Sequence, residues 1–274
     1  MYSTIAQAQA SVPIDRVDVR ALLRHACDVD DAYLIAHAND RLSNEQSAAF
    51  AALVARRAAG EPVAYIVGTR EFFSLDFKVT PAVLIPRPET ELLVEFALEH
   101  CDAEHTCSVL DLGTGSGCIA IAVAKHLPRA NVVAADSSAA ALAVARENAT
   151  RHAIPNLELI ESDWFAALAS RRFDLIVANP PYVAAGDPHL SEGDLPAEPV
   201  AALVAGDDGL DCIRAIVEAA PRHLNRGSWL AIEHGYDQAE RCRELLDAAG
   251  FHAVFSREDP AGVERISGGQ WRAS

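Results

Sequence analysis

From residue 107 onward, short apolar runs of strand type alternate with helix-length segments. That alternation restricts the chain to a mainly parallel sheet with helices on both faces. The first strand is Ser108-Val109-Leu110-Asp111-Leu112, followed by a glycine-rich turn and a helix from Cys118 to His126. Asn131 to Ala135 forms the second, ending at Asp136, with a helix from Ala139 to about Arg151. Leu157 to Ile160 forms the third, ending at Ser162-Asp163-Trp164, and Phe173 to Ala178 the fourth, ending at Asn179. A loop over 183–208, rich in Gly, Pro, Asp and Ala, is long enough to be functional or mobile. A helix over 209–223, a fifth strand from Trp229 to Glu233, and a helix from Asp237 to Ala248 follow. Phe251 to Phe255 and Val263 to Ile266 read as a closing antiparallel hairpin.

In such a sheet, ligands sit at the carboxyl ends of the strands. The most informative end is Asn179-Pro180-Pro181-Tyr182. Two prolines cannot continue a central strand, and the residue before a proline is held extended, so Asn179 projects rigidly from the strand end. Asn179 offers a side-chain carbonyl, and Pro180 a backbone carbonyl with no N–H of its own. Two acceptors side by side suit a planar NH2 group, and Tyr182 offers a flat face for a planar π-group. A carboxamide or the exocyclic amine of a base would fit. Alone, the tetrapeptide is equally a Pro-rich turn.

The other strand ends add to it. Gly113-Thr114-Gly115-Ser116-Gly117 lets the backbone pass close to a ligand. It is neither G-x-G-x-x-G nor a phosphate loop, since its third glycine comes early and no Gly-Lys-Ser/Thr follows. Asp136 can accept both hydroxyls of a ribose, against the alternative of a helix N-cap. Trp164 can flank an adenine and Asp163 can take its amino group, against the alternative of a core aromatic.

Composition narrows the partners. The chain has 274 residues, 50% hydrophobic and 23% charged, with a formal net charge of −16. A protein gripping nucleic acid by its phosphates would carry a basic face, so this balance argues against nucleic acid and favours a basic protein partner or a small ligand. No apolar stretch reaches spanning length, and Met1 to Gln7 lacks the pattern of a signal peptide, so no membrane association and a cytoplasmic location are expected. Six cysteines, at 27, 101, 107, 118, 212 and 242, form no Cys-x-x-Cys pair and have no His cluster. Neither disulfides nor a metal are expected, and Cys107 and Cys118 read as small core residues.

Residues 1 to about 60 read as helical, with Val19, Leu22, Leu23 and Ala26 at helical spacing. A further helix opens at Ser43, with Gln46 at the capping-box position, and stops at Gly60. Ala64 to Gly68 and Glu71 to Val79 suggest short strands forming a hairpin. Ile85-Pro86-Arg87-Pro88-Glu89-Thr90-Glu91 is a stiff link into the next helix, with Glu89 and Glu91 suited to its positive end. The expected division is therefore a helical domain over 1–80, a hairpin and linker to about 90, and a second domain over 90–274. The boundary falls between 80 and 90.

The series Asp111 to Gly117, Asp136, Asp163-Trp164 and Asn179 to Tyr182 resembles a class I S-adenosylmethionine-dependent methyltransferase. More narrowly, Pro62 to Gly68, Leu84 to Glu91, Asp187-Pro188-His189-Leu190 and Glu198-Pro199 with Ala202-Leu203 resemble the HemK/PrmC family. That family methylates the glutamine side-chain nitrogen (N5) of peptide chain release factors, in their Gly-Gly-Gln motif. The resemblance covers nearly the whole chain. It implies a Rossmann-like α/β sheet plus a small N-terminal helical domain for substrate recognition. It implies S-adenosylmethionine as methyl donor, with S-adenosylhomocysteine as product, and release factors as protein substrates of a monomer. It assigns Gly113, Thr114, Gly115, Ser116, Gly117, Asp136, Asp163, Trp164 and Asn179 to the cofactor. Asn179, Pro180, Pro181 and Tyr182 go to the substrate glutamine, with Asn179, Pro180 and Tyr182 as catalytic residues. Ser137-Ser138 after Asp136 departs from the apolar residue often found there.

Three rival readings remain. An adenine-N6 methyltransferase acting on nucleic acid would use the same acceptors with the base flipped out. A glutamine methyltransferase of a ribosomal protein shares the tetrapeptide. A silent adapter that binds S-adenosylmethionine would not need it. Gly268-Gly269-Gln270 repeats the substrate tripeptide, and its position directly after the closing strand makes it a coincidence.

Overall fold

The computed structural model describes residues 4–102 and 104–272. They form two compact units, one running to Thr69 and including Ser191–Ala197, the other made of Arg70–Leu190 and Glu198 onward.

The smaller unit contains α1 (Ile5–Ala10), α2 (Arg16–Cys27), α3 (Asp31–Ala36), α4 (Asn44–Ala58) and α5 (Val63–Val67). Thr4, Asp15, Asp30 and Ser43 each cap the helix they precede, and Ser43 with Gln46 closes a full capping box. Val19, Leu22, Leu23, Leu34, Phe50 and Ile66 share its core. The expected strand at 64–68 is instead α5: Pro62 stands at its N-cap, Gly68 closes it in the left-handed region at φ 81°, and Ile66 is buried. Tertiary burial and the glycine stop override the strand preference of Ile66 and Val67. Arg57 sits between Asp18 and Asp194, 2.6 Å from each, which ties the segment 191–197 into this unit.

The larger unit opens with a hairpin of β1 (Thr69–Phe72) and β2 (Leu75–Lys78), turned by Phe73 and Ser74 at φ 49° and 60°. Two consecutive positive φ values match the twist of a two-residue hairpin loop. Phe72 and Phe77 are buried with Leu93 and Phe96 in the core beneath the large sheet. Their burial places the hairpin with the larger unit, so the division falls at Thr69 rather than between 80 and 90.

A 3₁₀ turn (Pro88–Thr90) leads into α6 (Glu91–His100). Then come β3 (Ser108–Leu112), α7 (Cys118–His126), β4 (Asn131–Asp136), α8 (Ala139–Arg151), β5 (Leu157–Glu161) and β6 (Phe173–Ala178). The chain continues through α9 (Asp211–Ala219), β7 (Leu224–Glu233), α10 (Ala239–Ala248), β8 (His252–Glu258) and β9 (Glu264–Gln270). The strand order is β5-β4-β3-β6-β7-β9-β8. The first five strands are parallel, and β9 runs antiparallel to both β7 and β8. Along β3 and β6, side chains alternate between two cores: Val109, Leu175 and Val177 on one face, Leu110, Ile176 and Ala178 on the other.

The loop over 183–208 holds three 3₁₀ turns and a bridge between Val183 and Val204. Cys101 and Cys107 form a disulfide, with Cα atoms 5.9 Å apart, contrary to expectation. The short connection from α6 to β3 turns back on itself, and spacing alone does not reveal that closure. Cys27, Cys118, Cys212 and Cys242 are free. Among the described residues no helix is long and apolar enough to cross a membrane, and no cluster of three metal-type ligands occurs.

Gly268-Gly269-Gln270 lies inside β9, not after it. A Cβ on Gly268 would stand 2.3 Å from the Leu230 carbonyl oxygen and 2.7 Å from the Phe255 ring. The tripeptide thus has a packing reason of its own. Gly268→Ala should destabilise the fold by about 1–3 kcal/mol, the usual cost of overpacking. Gln270→Ala should cost less, since it loses a hydrogen bond to the Gly227 carbonyl and an exposed one from Arg272. Urea unfolding midpoints of the two variants check this; equal midpoints would refute it.

Candidate functional site

The chain lays down β3, β4 and β5 outward in one direction, then returns to place β6 on the other side of β3. Ligand crevices form at such a switch point. Leu112 pairs with Ala178 as the last residues of β3 and β6, so Gly113 and Asn179 emerge side by side. A Cβ on Gly113 would lie 3.8 Å from the Asn179 carbonyl oxygen and 3.7 Å from the Trp164 ring.

The cavity above these ends is lined by Gly113, Thr114, Gly115, Ser116, Asp136, Asp163, Trp164, Asn179 and Pro181. Of the residues expected at the site, Gly117, Pro180 and Tyr182 stand outside its wall. Gly117, at φ 82°, is the N-cap of α7, and a Cβ there would meet Ile121 at 3.0 Å and Ala145 at 3.2 Å. Its task is close helix packing. Pro180 is buried.

The glycine turn is held from two sides. The amides of Gly113 and Thr114 donate to the Ala135 carbonyl. The Gly115 amide donates to Asp136 Oδ2 at 2.8 Å, while Asp136 Oδ1 accepts from the Ser138 amide at 2.8 Å. Asp136 therefore shapes the loop and still keeps lone pairs toward the cavity. It is not the cap of α8; that is Ser138, which accepts from the Ala141 amide. Beneath the loop, Asp111 is completely buried and accepts the Thr114 hydroxyl at 2.6 Å, and its Oδ1 has no partner among the described residues. Burial pushes its pKa up to about 7, and the negative charge of Asp136 adds to the rise; hydrogen bonds from Thr114 and the Ala120 amide oppose it. The Ser116 hydroxyl is likewise buried, with the Cys118 thiol as a hydrogen-bonding neighbour.

Trp164 holds φ 45°, a costly angle for a bulky residue. Ser162 supports it: its hydroxyl donates to the Trp164 carbonyl at 2.8 Å and accepts from the Ala167 amide. Asp163 lies on the wall and is exposed.

Asn179 is half-buried, and its Nδ2 donates to the hydroxyl of Thr90 at 3.1 Å. Tyr182 is not among the residues that line the cavity. Its ring packs on the core of one sheet face, and its hydroxyl donates to Glu233 Oε1 at 3.3 Å. Its carbonyl accepts from Gln238, and Gly209 presses against it, where a Cβ would come within 2.3 Å. These clamps set the backbone turn that follows Asn179. Burial, the Glu233 charge and that hydrogen bond hold the Tyr182 phenol well above its ordinary pKa.

Several wall and support residues escaped the sequence reading. Val83, Leu84, Pro86, Arg87 and Thr90 line the cavity, as do Pro199, Ala201 and Ala202. Glu198 joins them, accepting from Arg87 at 2.7 Å and from the Ile85 amide at 3.3 Å. Its side chain is fully buried, so the pair is well shielded from solvent. Glu233 is buried at the end of β7, and it obeys the strand-end rule that singled out Asp136.

Family models match in two places, a PrmC N-terminal domain over residues 4–68 and a methyltransferase small domain over 89–192. The Burkholderia pseudomallei release factor glutamine methyltransferase is 51% identical, over 98% of this chain and 96% of its own. The Xylella fastidiosa (strain Temecula1) relative of that name is 49% identical over 96% of both chains, and the Escherichia coli one 43% over 99% and 97%. This chain belongs to the release factor glutamine methyltransferase family. Among solved structures, a Pyrococcus furiosus methyltransferase aligns with TM-score 0.55 at 19% identity, over 80% of this chain and 98% of its own. A T. Thermophilus 16S rRNA N2 G1207 methyltransferase aligns at 0.57 and 22%, over 74% and 50%. Those two likenesses establish the methyltransferase fold alone.

The family's glycine turn here rests on a buried, protonatable carboxyl group, which predicts a pH effect. A carboxyl group with a raised folded pKa contributes stability that is full below its unfolded value of about 3.9 and is lost as pH rises through about 7. Asp111→Asn should therefore lose less stability than the wild type between pH 5 and pH 8. Denaturant unfolding at both values checks it; parallel losses would refute it.

Proposed function

We propose that this chain transfers the methyl group of S-adenosylmethionine to the side-chain amide nitrogen of a glutamine in a peptide chain release factor. One observation carries the reading: the glycine turn and Asn179 leave adjacent strand ends and face one cavity. The names of the full-length relatives supply the substrate.

The residues fit the cofactor. Asp136 retains lone pairs for a ribose, Trp164 offers a ring edge beside the glycine turn, and Ser116 adds a polar group to the cavity wall. When bound, S-adenosylmethionine supplies an electrophilic methyl group on a positively charged sulfur. The remaining task belongs to this chain's residues.

A glutamine amide nitrogen is a poor nucleophile because its lone pair is delocalised. The first requirement is alignment within a site shielded from water. Asn179 Oδ1 and the Pro180 carbonyl would accept the two N–H groups of the amide. That aims the nitrogen lone pair and stabilises the positive charge that develops on it. The proton can leave to water after transfer. Arg87, held by Glu198, and Pro86 beside it form part of the cavity wall. Tyr182 contributes from behind, by fixing the turn that carries Asn179. The net charge of −16 suits a basic protein partner and disfavours an adenine-N6 activity on nucleic acid.

Two variants test the reading. Asp136→Ala should weaken binding of S-adenosylhomocysteine, since it removes a ribose acceptor and releases the Gly115 amide; unchanged affinity by calorimetry would remove Asp136 from the site. Asn179→Ala should lower single-turnover methylation of a release factor by ~10²–10³, the typical loss for one oriented electrostatic contact. A release factor with its glutamine changed to alanine is the blank, and duplex DNA is the rival substrate. Near wild-type turnover by Asn179→Ala, or equal labelling of the blank, would reject the glutamine reading.

A further inference from the structure

Asn179 can present either end of its amide to the cavity. Only one serves the reaction: the carbonyl oxygen must face the substrate NH2, so the Asn179 NH2 must face inward. Its inward partner is the Thr90 hydroxyl, at 3.1 Å. A hydroxyl has one hydrogen and two lone pairs, so it can meet an NH2 or a carbonyl equally well. What decides is where the Thr90 hydrogen goes.

Thr90 is buried, and so is Glu233. Glu233 Oε1 accepts the Tyr182 hydroxyl at 3.3 Å. The Thr90 hydroxyl neighbours the same carboxylate as a hydrogen-bonding group, and the buried Oε2 takes no other partner among the described residues. A charged carboxylate can only accept, so it draws the Thr90 hydrogen toward itself. Thr90 is then left with lone pairs alone for Asn179.

We infer that Thr90 and Glu233 are a positioning pair for the methyl transfer: charged Glu233 orients the Thr90 hydroxyl, and Thr90 thereby holds Asn179 with its NH2 inward and its carbonyl toward the substrate amide. The inference rests on the reading of Asn179 as an amide acceptor. Protonation of Glu233 undoes the arrangement. The acid hydrogen can then go to Thr90, the Thr90 hydrogen is free to reach Asn179 Oδ1, and the amide can turn its NH2 outward. An outward NH2 would oppose the N–H groups of the substrate.

The groups facing Glu233 make this titration accessible. Burial pushes its pKa up to about 7. Hydrogen bonding from Thr90 and Tyr182 opposes the rise; Glu89, before α6, reinforces it and Arg265, on β9, opposes it. Cys118 of α7 also senses the Glu233 charge, but burial holds its thiol up to about 12, so it stays neutral. Arg265 is in turn paired with Asp259 at 2.9 Å, which tempers its pull. Since the active form is the charged one, methylation should rise with pH through about 7 and level off above it.

The test uses the full chain, S-adenosylmethionine and a glutamine-bearing release factor, with single-turnover rates from pH 6 to 9. Thr90→Val and Glu233→Gln should each slow transfer by roughly tenfold, the loss expected for one oriented hydrogen bond, with S-adenosylhomocysteine affinity unchanged. Thr90→Ser, which keeps the hydroxyl, should restore most of the rate. Glu233→Gln should also flatten the rise through pH 7, an effect that loss of packing alone would not produce. Wild-type rates and an unaltered pH profile in Thr90→Val and Glu233→Gln, beside an inactive Asn179→Ala, would overturn the pair and spare the role of Asn179. An active Asn179→Ala would overturn the reading beneath it. If Glu233→Gln fails to fold, Thr90→Val and Thr90→Ser decide the matter.

Discussion

The pairing of Leu112 with Ala178 sets the geometry of the site. In a parallel ladder, strand ends are level only if register is kept along the whole pair, and β3 and β6 are buried on both faces. A slip of one residue would exchange Val109 with Leu110 and Val177 with Ala178 between the two cores. Burial of both faces therefore locks the register, and the register places a glycine turn beside a rigid Asn-Pro step. No side chain of the site performs that alignment. It is done by aliphatic packing well below the cavity.

Above the sheet, several polar groups are held by a backbone group or a second side chain. Asp136 grips an amide on the loop of its neighbouring strand and one on its own. Ser162 braces the strained Trp164. Glu198 fastens Arg87 and the Ile85 amide. Three buried carboxyl groups, Asp111, Glu198 and Glu233, underlie the cavity wall, where water is excluded and each hydrogen bond is stronger than at the surface.

Much of this could be read from residue order. The strand ends were visible because Gly, Asp and Asn-Pro each interrupt an apolar run, and a parallel sheet brings such interruptions to one edge. Glu233 ends its strand in the same way and could have been found by the same rule. Tyr182 could not be placed, because the backbone turn four residues beyond a strand depends on Gly209 and Gln238, distant in sequence. Val63–Val67 misled because its residues favour strands and its stop signal, Gly68, is shared by helices and turns. The bond between Cys101 and Cys107 was hidden by a chain reversal that spacing does not encode. The helical unit's core positions were legible from periodicity, whereas the membership of residues 191–197 was not, since Asp194 reaches Arg57 across 137 positions of sequence.

That last contact has a consequence for the order in which the chain can mature. The polypeptide passes between its two units at Thr69, at Leu190 and again at Ala197. During synthesis, the first five helices emerge early, with Arg57 able to reach Asp18 and the Glu61 carbonyl but not yet Asp194. The remaining piece of that unit arrives only after β3 to β6 have been made. A chain growing at roughly 5–20 residues per second would spend several seconds in that interval. The helical unit is therefore finished by a segment threaded out of the sheet domain, and its completion is a report that translation has passed the Asn-Pro turn.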